Sequence, residues 1–260
     1  MDAARTRDAD PDHSGFAVGL LHTGRHYPDE LDESGVIYHY PTTKRPPRRD
    51  ESEVDAIRAC GRWGLPMFFL GPAPSGARSV RLCWLAEDDA KSRTFYLTFE
   101  ESGAPAPDTG DLDEPPFSLD DEDREVSRGG GGVQRRGQAR FRFEVLKRYG
   151  VACAACGLAL DTLIEAAHLK PWSKNGTDDP RNGLPLCRNH HVTFDKGLLG
   201  IHPHELTFAA KEGGPTLEQM QVRAPGVQGL LALPATMALE WAWRETFGGL
   251  GRVVLPDGRS

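Results

Sequence analysis

The stretch "CGLALDTLIEAAHLKPWSKNGTDDPRNGLPLCRNHH", which runs from Cys156 to His191, decides the fold of this chain. It holds two of the five cysteines and three of the nine histidines in a sequence of 260 residues. A further cysteine, Cys153, lies just before it in the sequence "CAAC". Cysteine and histidine are the side chains that most often bind zinc in proteins. This density of cysteine and histidine indicates that the functional site of the chain lies in this stretch.

Two ligand pairs stand out in this region, Cys153-x2-Cys156 and Cys187-x2-His190, with 30 residues between them. A CxxC turn lets two thiolates point at one ion, and a second pair completes a tetrahedral zinc site. Four protein ligands leave no open position, so the pattern predicts a structural zinc ion. Two alternatives are buried cysteines that act as small apolar residues and a redox pair, which would leave Cys187 and His190 unexplained.

The composition indicates a globular protein without a membrane segment. The chain is 38% hydrophobic and 27% charged, which is enough apolar content to form a core. No apolar run approaches the ~20 residues that a helix needs to cross a bilayer. The sequence "MDAARTRDADPDHSG" at the N-terminus lacks the apolar region of a secretory signal. We therefore expect a cytoplasmic protein, without a membrane partner, in which the cysteines stay reduced.

The net charge of −7 is unevenly distributed. Residues 108–125 hold nine Asp or Glu against Arg124, a local charge of −8. Residues 128–148 hold seven Arg or Lys against Glu144, a local charge of +6. The basic segment is compatible with phosphate binding, or it is an ordinary solvated helix face. Its candidates for contact with DNA are Arg135, Arg136 and Arg140.

The pattern along the chain predicts an α+β protein of two domains. Residues 1–14 are expected to be a disordered tail, and residues 15–100 read as several strands with one helix. Residues 101–132 are rich in Pro, Gly, Asp and Glu and are predicted to be a linker. Residues 133–260 form the second domain, which begins with a helix, contains the Cys/His stretch and ends in a helical tail.

Three segments of the second domain, "AAHLKPWS", "DDPRNGLPLC" and "HHVTFDKGLLGI", resemble the HNH nuclease family, in the branch found in restriction-type nucleases. The resemblance covers residues 134–202 and implies a ββα-metal hairpin stabilised by zinc. It also implies three catalytic residues, His168, Asn182 and His191.

The roles that the resemblance implies suit the hydrolysis of a phosphodiester. His168 would be the general base, because a neutral imidazole near pH 7 can activate water. Asn182 would hold the loop and orient that imidazole, or ligate the catalytic metal. His191 would bind a catalytic Mg²⁺ or Mn²⁺ ion, whose charge stabilises the phosphate and the leaving oxygen.

The chain departs from the family at Ala167, where many members have an Asp or His that binds the metal. Glu165 lies two residues earlier and would share the face of Ala167 on a strand. Asp195 lies one helical turn beyond His191. Either residue can complete the metal shell, or each is an ordinary polar residue.

The N-terminal segments "FAVGLLHTGRHYPDELDESGVIYHYPTT", "WGLPMFFLG" and "VRLCWL" resemble the PUA/SRA-like β-barrels that read modified bases. Such a reader needs aromatic side chains around a flipped base and cations near the phosphates. The alternative is that the aromatic residues form the core and that the basic run is a solvated loop. The candidates for the base pocket are Tyr38, His39, Tyr40 and Trp63, and those for the backbone are Lys44, Arg45, Arg48 and Arg49.

Together these patterns predict a metal-dependent endonuclease that cleaves double-stranded DNA. We expect it to act in a modification-dependent restriction system. A homodimer is one arrangement that would cut both strands. The first alternative is a zinc-stabilised DNA-binding or regulatory protein without cleavage, which Ala167 favours. The second is a cytosolic thiol oxidoreductase that uses Cys153 and Cys156.

Overall fold

The computed structural model describes residues 3–22, 30–42, 47–72, 77–101, 116–121 and 137–248. The chain divides into two compact units, residues 1–114 with 131–143 (unit 1) and residues 115–130 with 144–260 (unit 2). Both units combine helices and strands, so the protein has the predicted α+β class. None of the helices within the described ranges has the length and apolar character that spanning a bilayer requires.

Unit 1 contains a five-stranded sheet and one long helix. The strand order is β1-β3-β4-β5-β2, in which β1 and β3 are parallel and the other pairs are antiparallel. The described strands form an open sheet with β1 and β2 at its edges, so the predicted PUA/SRA-like barrel is not confirmed. The elements are β1 (Gly19–Leu21), β2 (Gly35–His39), α1 (Pro47–Arg62), β3 (Met67–Pro72), β4 (Arg78–Asp89) and β5 (Thr94–Thr98).

The core of unit 1 forms where α1 packs on the sheet. Side chains alternate along β3, so Met67 and Phe69 are buried while Phe68 between them is exposed. Ile57 on α1 joins the same cluster. Cys60 and Cys83 also lie in this core, where burial raises the pKa of their thiols to about 11 and about 12. These two cysteines therefore act as small apolar residues.

The N-terminal residues differ from the expected disordered tail, because residues 3–9 form a 3-10 helix. The backbone amide of Phe16 donates to the Thr6 hydroxyl at 2.7 Å, which fixes the end of this segment. The Asp10 carboxylate is buried and accepts hydrogen bonds from the backbone amides of Asp12 and Ser14. These local hydrogen bonds give order to a segment whose composition is typical of a tail.

Unit 2 is built around two hairpins and a short helix. Its described elements are the C-terminal half of α2 (Gln138–Tyr149), β6 (Ile164–His168), β7 (Gly183–Cys187), α3 (Arg188–Asp195), β8 (Leu199–Ile201), β9 (Phe208–Ala210) and α4 (Thr236–Trp241), which continues into a π-helical turn (Ala242–Thr246). β6 and β7 are antiparallel, and α3 follows β7 directly. Leu184, Leu186 and Phe194 are buried in one cluster, which holds α3 against the hairpin. This is the ββα arrangement that the sequence predicts.

The tail helix packs on unit 2 itself. Ala238 and Leu239 on α4, and Ala242 after it, are buried in the same cluster as the hairpin. Met237 points away and is exposed. The apolar face of α4 therefore stabilises its own domain, and little of it remains for contact with a second copy of the chain.

Part of the predicted linker is also bound to unit 2. We call residues 116–121 the docked segment. The backbone amide of Thr177 donates to the carbonyl of Leu119 at 3.1 Å, and Asp120 forms an ion pair with the buried Lys170. The composition of this region predicts a linker, but these contacts fix six of its residues on the loop that follows β6.

Candidate active site and metal centre

The four predicted zinc ligands meet at one end of the β6–β7 hairpin. Cys153 and Cys156 lie in the turn after α2, Cys187 ends β7, and His190 lies in the first turn of α3. Their ligand atoms all lie within 4.8 Å of one another. His190 Nδ1 is 3.0 Å from Cys187 Sγ and 3.5 Å from Cys153 Sγ. A tetrahedral zinc site with ordinary bond lengths has edges of about 3.5–3.8 Å, so this cluster could bind zinc.

Hydrogen bonds around the cluster favour the thiolate at one of its three cysteines. His190 Nε2 lies 3.0 Å from the carbonyl of Met220, and Nδ1 of the same ring faces the cysteines. Burial alone would raise the pKa of Cys153. Its hydrogen bonds with His190 and with the backbone amides of Cys187, Cys156 and Ala155 outweigh burial and lower this pKa to about 6. Burial raises the pKa of Cys156 to about 12 and also raises that of Cys187, so Cys153 is the cysteine that these contacts hold as a thiolate, the form that binds a metal.

His168 is the last residue of β6, opposite Gly183 in the hairpin. Its Nε2 atom lies 2.9 Å from Oδ1 of Asp178, and its side chain is largely buried. Asp178 is not one of the candidates that the sequence pattern identifies. The only signal for it is the "DDP" sequence before Asn182, which does not show which of two neighbouring carboxylates reaches the histidine.

Asn182 is completely buried, and its side-chain amide holds the loop after β6. Oδ1 accepts a hydrogen bond from the amide of Lys170 at 2.9 Å. Nδ2 donates to the carbonyls of Lys170 at 3.0 Å and Thr177 at 2.8 Å. Of the two roles considered for this residue, the contacts support holding the loop rather than binding metal.

We expect Asn182→Ala to lower the free energy of unfolding of unit 2. Two buried backbone groups of Lys170 and the half-buried carbonyl of Thr177 would lose their partner. We expect a net loss of about 2–4 kcal/mol, because each unsatisfied group costs about 1–3 kcal/mol before the loop relaxes. Urea denaturation followed by circular dichroism measures this change. Asn189→Ala, at an exposed position of α3, is the matched control and should shift the midpoint very little. Equal midpoints for the two variants would contradict this account of Asn182.

His191 on α3 lies between two acidic side chains. Its Nδ1 is 2.7 Å from Oε2 of Glu165 on β6, and its Nε2 is 3.5 Å from Oδ2 of Asp195. Ala167 is buried and offers no ligand atom. Two carboxylates beside an imidazole provide the oxygen and nitrogen donors that a divalent ion needs. Glu165 and Asp195 contact opposite nitrogens of the His191 ring, so an ion bound to one of these nitrogens would have one of the two carboxylates beside it.

The candidates for DNA contact are only partly described. Arg140 is on α2, with 62% of its side chain exposed, and its guanidinium lies 4.0 Å from Glu87. Arg135, Arg136, Lys44 and Arg45 lie outside the described residues. Arg48 and Arg49 lie in the first turn of α1, but their side chains are outside the described part.

The four candidates for the base pocket do not share one surface. Tyr40 is buried in the core of unit 1, where its hydroxyl donates to the carboxylate of Asp88. Tyr38 packs against the same core, and its burial, with a contribution from nearby Glu53, raises the pKa of its hydroxyl to about 12. His39 lies on the opposite face of the strand, 3.0 Å from Glu30.

Trp63 follows α1 and is exposed. Since neighbouring residues of a strand point to opposite faces, His39 cannot join the two tyrosines in one pocket. The structure places Tyr40 in the core of unit 1 and packs the partly buried Tyr38 against that core.

One comparison with known proteins matches the part of the chain that carries this site. A family model described as HNH endonuclease matches residues 153–202. No curated protein sequence matches the chain. Among solved structures, the chain is similar to one described as "Modification dependent TagI restriction endonuclease", with 16% identity, a TM-score of 0.36, and coverage of 95% of this chain and 86% of that one. The matched residues contain the whole ββα unit and all four Cys/His ligands. The chain therefore contains, at residues 153–202, an HNH endonuclease domain, the catalytic domain of a nuclease.

Proposed function

We propose that the protein is a metal-dependent DNA endonuclease that hydrolyses phosphodiester bonds in double-stranded DNA. The observation that carries the proposal is the arrangement of side chains within the matched domain. One ββα unit presents an acid-paired histidine, His168, on its first strand. The same unit presents a second histidine, His191, between two carboxylates on its helix.

In the proposed reaction His168 accepts a proton from the attacking water molecule. A Mg²⁺ or Mn²⁺ ion bound by His191 with Glu165 or Asp195 would supply positive charge beside the phosphate and the leaving 3′ oxygen. Asn182 holds the loop after β6, and so keeps the base at a fixed position relative to the helix. General base catalysis would thus come from the first strand of the unit, and electrostatic stabilisation from an ion bound by its helix.

We also propose that Cys153, Cys156, Cys187 and His190 bind a structural zinc ion. The donor set fits zinc, since three thiol sulfurs and one imidazole nitrogen converge within 4.8 Å. All four positions are filled by protein, so this ion would hold the turn after α2 to the start of α3 and take no part in hydrolysis.

We assign DNA recognition, and with it a modification-dependent restriction function, to unit 1. All of the proposed catalytic and metal-binding side chains lie in unit 2, whereas the basic candidates Arg140, Arg48 and Arg49 lie in unit 1. Tyr40 is buried in the core of unit 1 and the partly buried Tyr38 packs against that core, which argues against a base pocket at these positions. A reader of modified bases in this unit would therefore use other side chains.

The test of the proposed function is digestion of one plasmid sequence in four forms: unmodified, methylated, hydroxymethylated and phosphorothioated. Each is incubated with Mg²⁺, with Mn²⁺ or without either ion. We expect cleavage only with the added ion and preferential cleavage of a modified form. Equal cleavage of all four forms would contradict the assignment to modified DNA.

The time course of the same digestions, with the mass of the protein in solution, tests whether two copies act together. One ββα unit holds one base and so hydrolyses one strand at a time. A dimer should give linear DNA without accumulation of a nicked intermediate.

The alternative is a zinc-stabilised DNA-binding protein without cleavage, and the observation that favours it is Ala167 at the position of the usual metal ligand. Glu165 lies beside Nδ1 of His191 and Asp195 beside Nε2, so in our proposal one of these carboxylates would take the place of the missing ligand. Zinc-loaded protein that binds every plasmid form but nicks none would establish the alternative.

A further inference from the structure

Asp178 is held in place from both sides along the chain. On one side, the backbone carbonyl of Thr177 accepts a hydrogen bond from the side-chain amide of Asn182. The backbone amide of Thr177 donates to the carbonyl of Leu119. On the other side, Asp179 accepts from the backbone amide of Arg181 at 2.8 Å and pairs with its guanidinium at 2.6 Å. These contacts fix the backbone around Asp178, so the position of its carboxylate is set by the loop. That carboxylate lies 2.9 Å from Nε2 of His168.

This contact determines which nitrogen of His168 holds the proton. An ionised carboxylate only accepts hydrogen bonds, so the ring atom that faces it must be protonated. With the proton on Nε2, the lone pair of the neutral ring lies on Nδ1.

We propose that Asp178 is a positioning residue for the general base. It fixes the orientation and the Nε2–H tautomer of His168, so that Nδ1 receives the proton of the attacking water. The proton thus moves from water oxygen to Nδ1, while the proton on Nε2 stays in its hydrogen bond to Asp178. This inference rests on the proposed function, in which His168 is the base.

The kinetic test compares Asp178→Asn with Glu212→Gln, a control that makes the same change from carboxylate to amide at an exposed position of unit 2. We expect Asp178→Asn to lower kcat about 10–100-fold, the range typical of losing a carboxylate that orients a histidine, with KM unchanged. Glu212→Gln should retain most of kcat, because Glu212 is exposed and lies outside the loop that holds Asp178. A kcat for Asp178→Asn equal to that of the wild type would overturn the proposal.

The double variant separates positioning from general support of the fold. If Asp178 acts only through His168, then His168→Ala combined with Asp178→Asn should cleave as slowly as His168→Ala alone. A further loss in the double variant, as large as the loss in Asp178→Asn alone, would show a structural role and overturn the proposal.

A second measurement does not depend on activity. ¹⁵N NMR of the histidine rings, at a pH where they are neutral, reports which nitrogen carries the proton, and the signal absent from His168→Ala identifies His168. We expect Nε2–H in the wild type and a mixture of tautomers in Asp178→Ala. An Nδ1–H tautomer in the wild type would overturn the proposal. Absence of DNA cleavage by the wild type would instead overturn the proposed function, so the two failures are distinguishable.

Discussion

His168→Ala should remove most of the nuclease activity and leave the fold and the metal content unchanged. Removal of a general base typically slows a reaction by about 10²–10⁴-fold. His168 lies at the end of β6 with part of its side chain open to solvent, so its removal opens no large cavity in the core. Initial rates of plasmid cleavage with saturating Mg²⁺ or Mn²⁺ measure the loss, and thermal melting checks the fold.

The matched control for this variant is His204→Ala. His204 is in the same unit, and its ring is exposed and lies near Glu240 on α4. Its removal should change the cleavage rate very little. If His168→Ala cleaved as fast as the wild type, His168 would not be the base, and the assignment of the HNH residues in this chain would be wrong.

Cys187→Ser should abolish stoichiometric zinc and unfold unit 2. Cys187 ends β7 and is the N-cap of α3, so its thiolate ties the hairpin and the helix to the turn that carries Cys153 and Cys156. Binding of a structural zinc ion contributes directly to the free energy of folding, since the unfolded chain has no preformed site. We expect the variant to lose the cooperative melting transition of this unit.

Metal analysis by mass spectrometry, together with thermal melting, measures this effect, and Cys83→Ala is the matched control. Cys83 is a buried cysteine of unit 1 with no part in the cluster. Its substitution should leave the zinc content at about one ion per chain, the number that one tetrahedral site binds. A wild-type protein that is fully folded without zinc would contradict the zinc proposal.

The part of the site that the sequence predicted well is the part in which spacing along the chain determines geometry. A CxxC turn and a CxxH sequence at the start of a helix each direct two ligands toward the same point by local geometry alone. The structure brings the two pairs together. The contact between His191 and Asp195 also follows from local geometry, because residues four apart on a helix are neighbours on its surface. The HNH family was recognised from these segments, and the family match confirms it.

The features that the sequence did not predict depend on the path of the chain between elements. The contact between His168 and Asp178 depends on a loop that turns back after β6, and nothing in "DDP" distinguishes Asp178 from Asp179. In unit 1, the parallel pairing of β1 with β3 joins segments far apart in the sequence, so local patterns could not separate an open sheet from a barrel. Aromatic composition likewise does not show which face of β2 is buried.

The docked segment determines where a truncated recombinant fragment of the nuclease half should begin. A recombinant fragment that starts at residue 133, where the composition suggests a boundary, would lack Asp120 and leave the buried ammonium group of Lys170 without this ion pair. It would also remove Phe117, whose ring lies 5.1 Å from the guanidinium of Arg181. Lys170 and Arg181 both belong to the loop that carries Asp178 and Asn182. An expression fragment meant to represent the nuclease half should therefore start before residue 116.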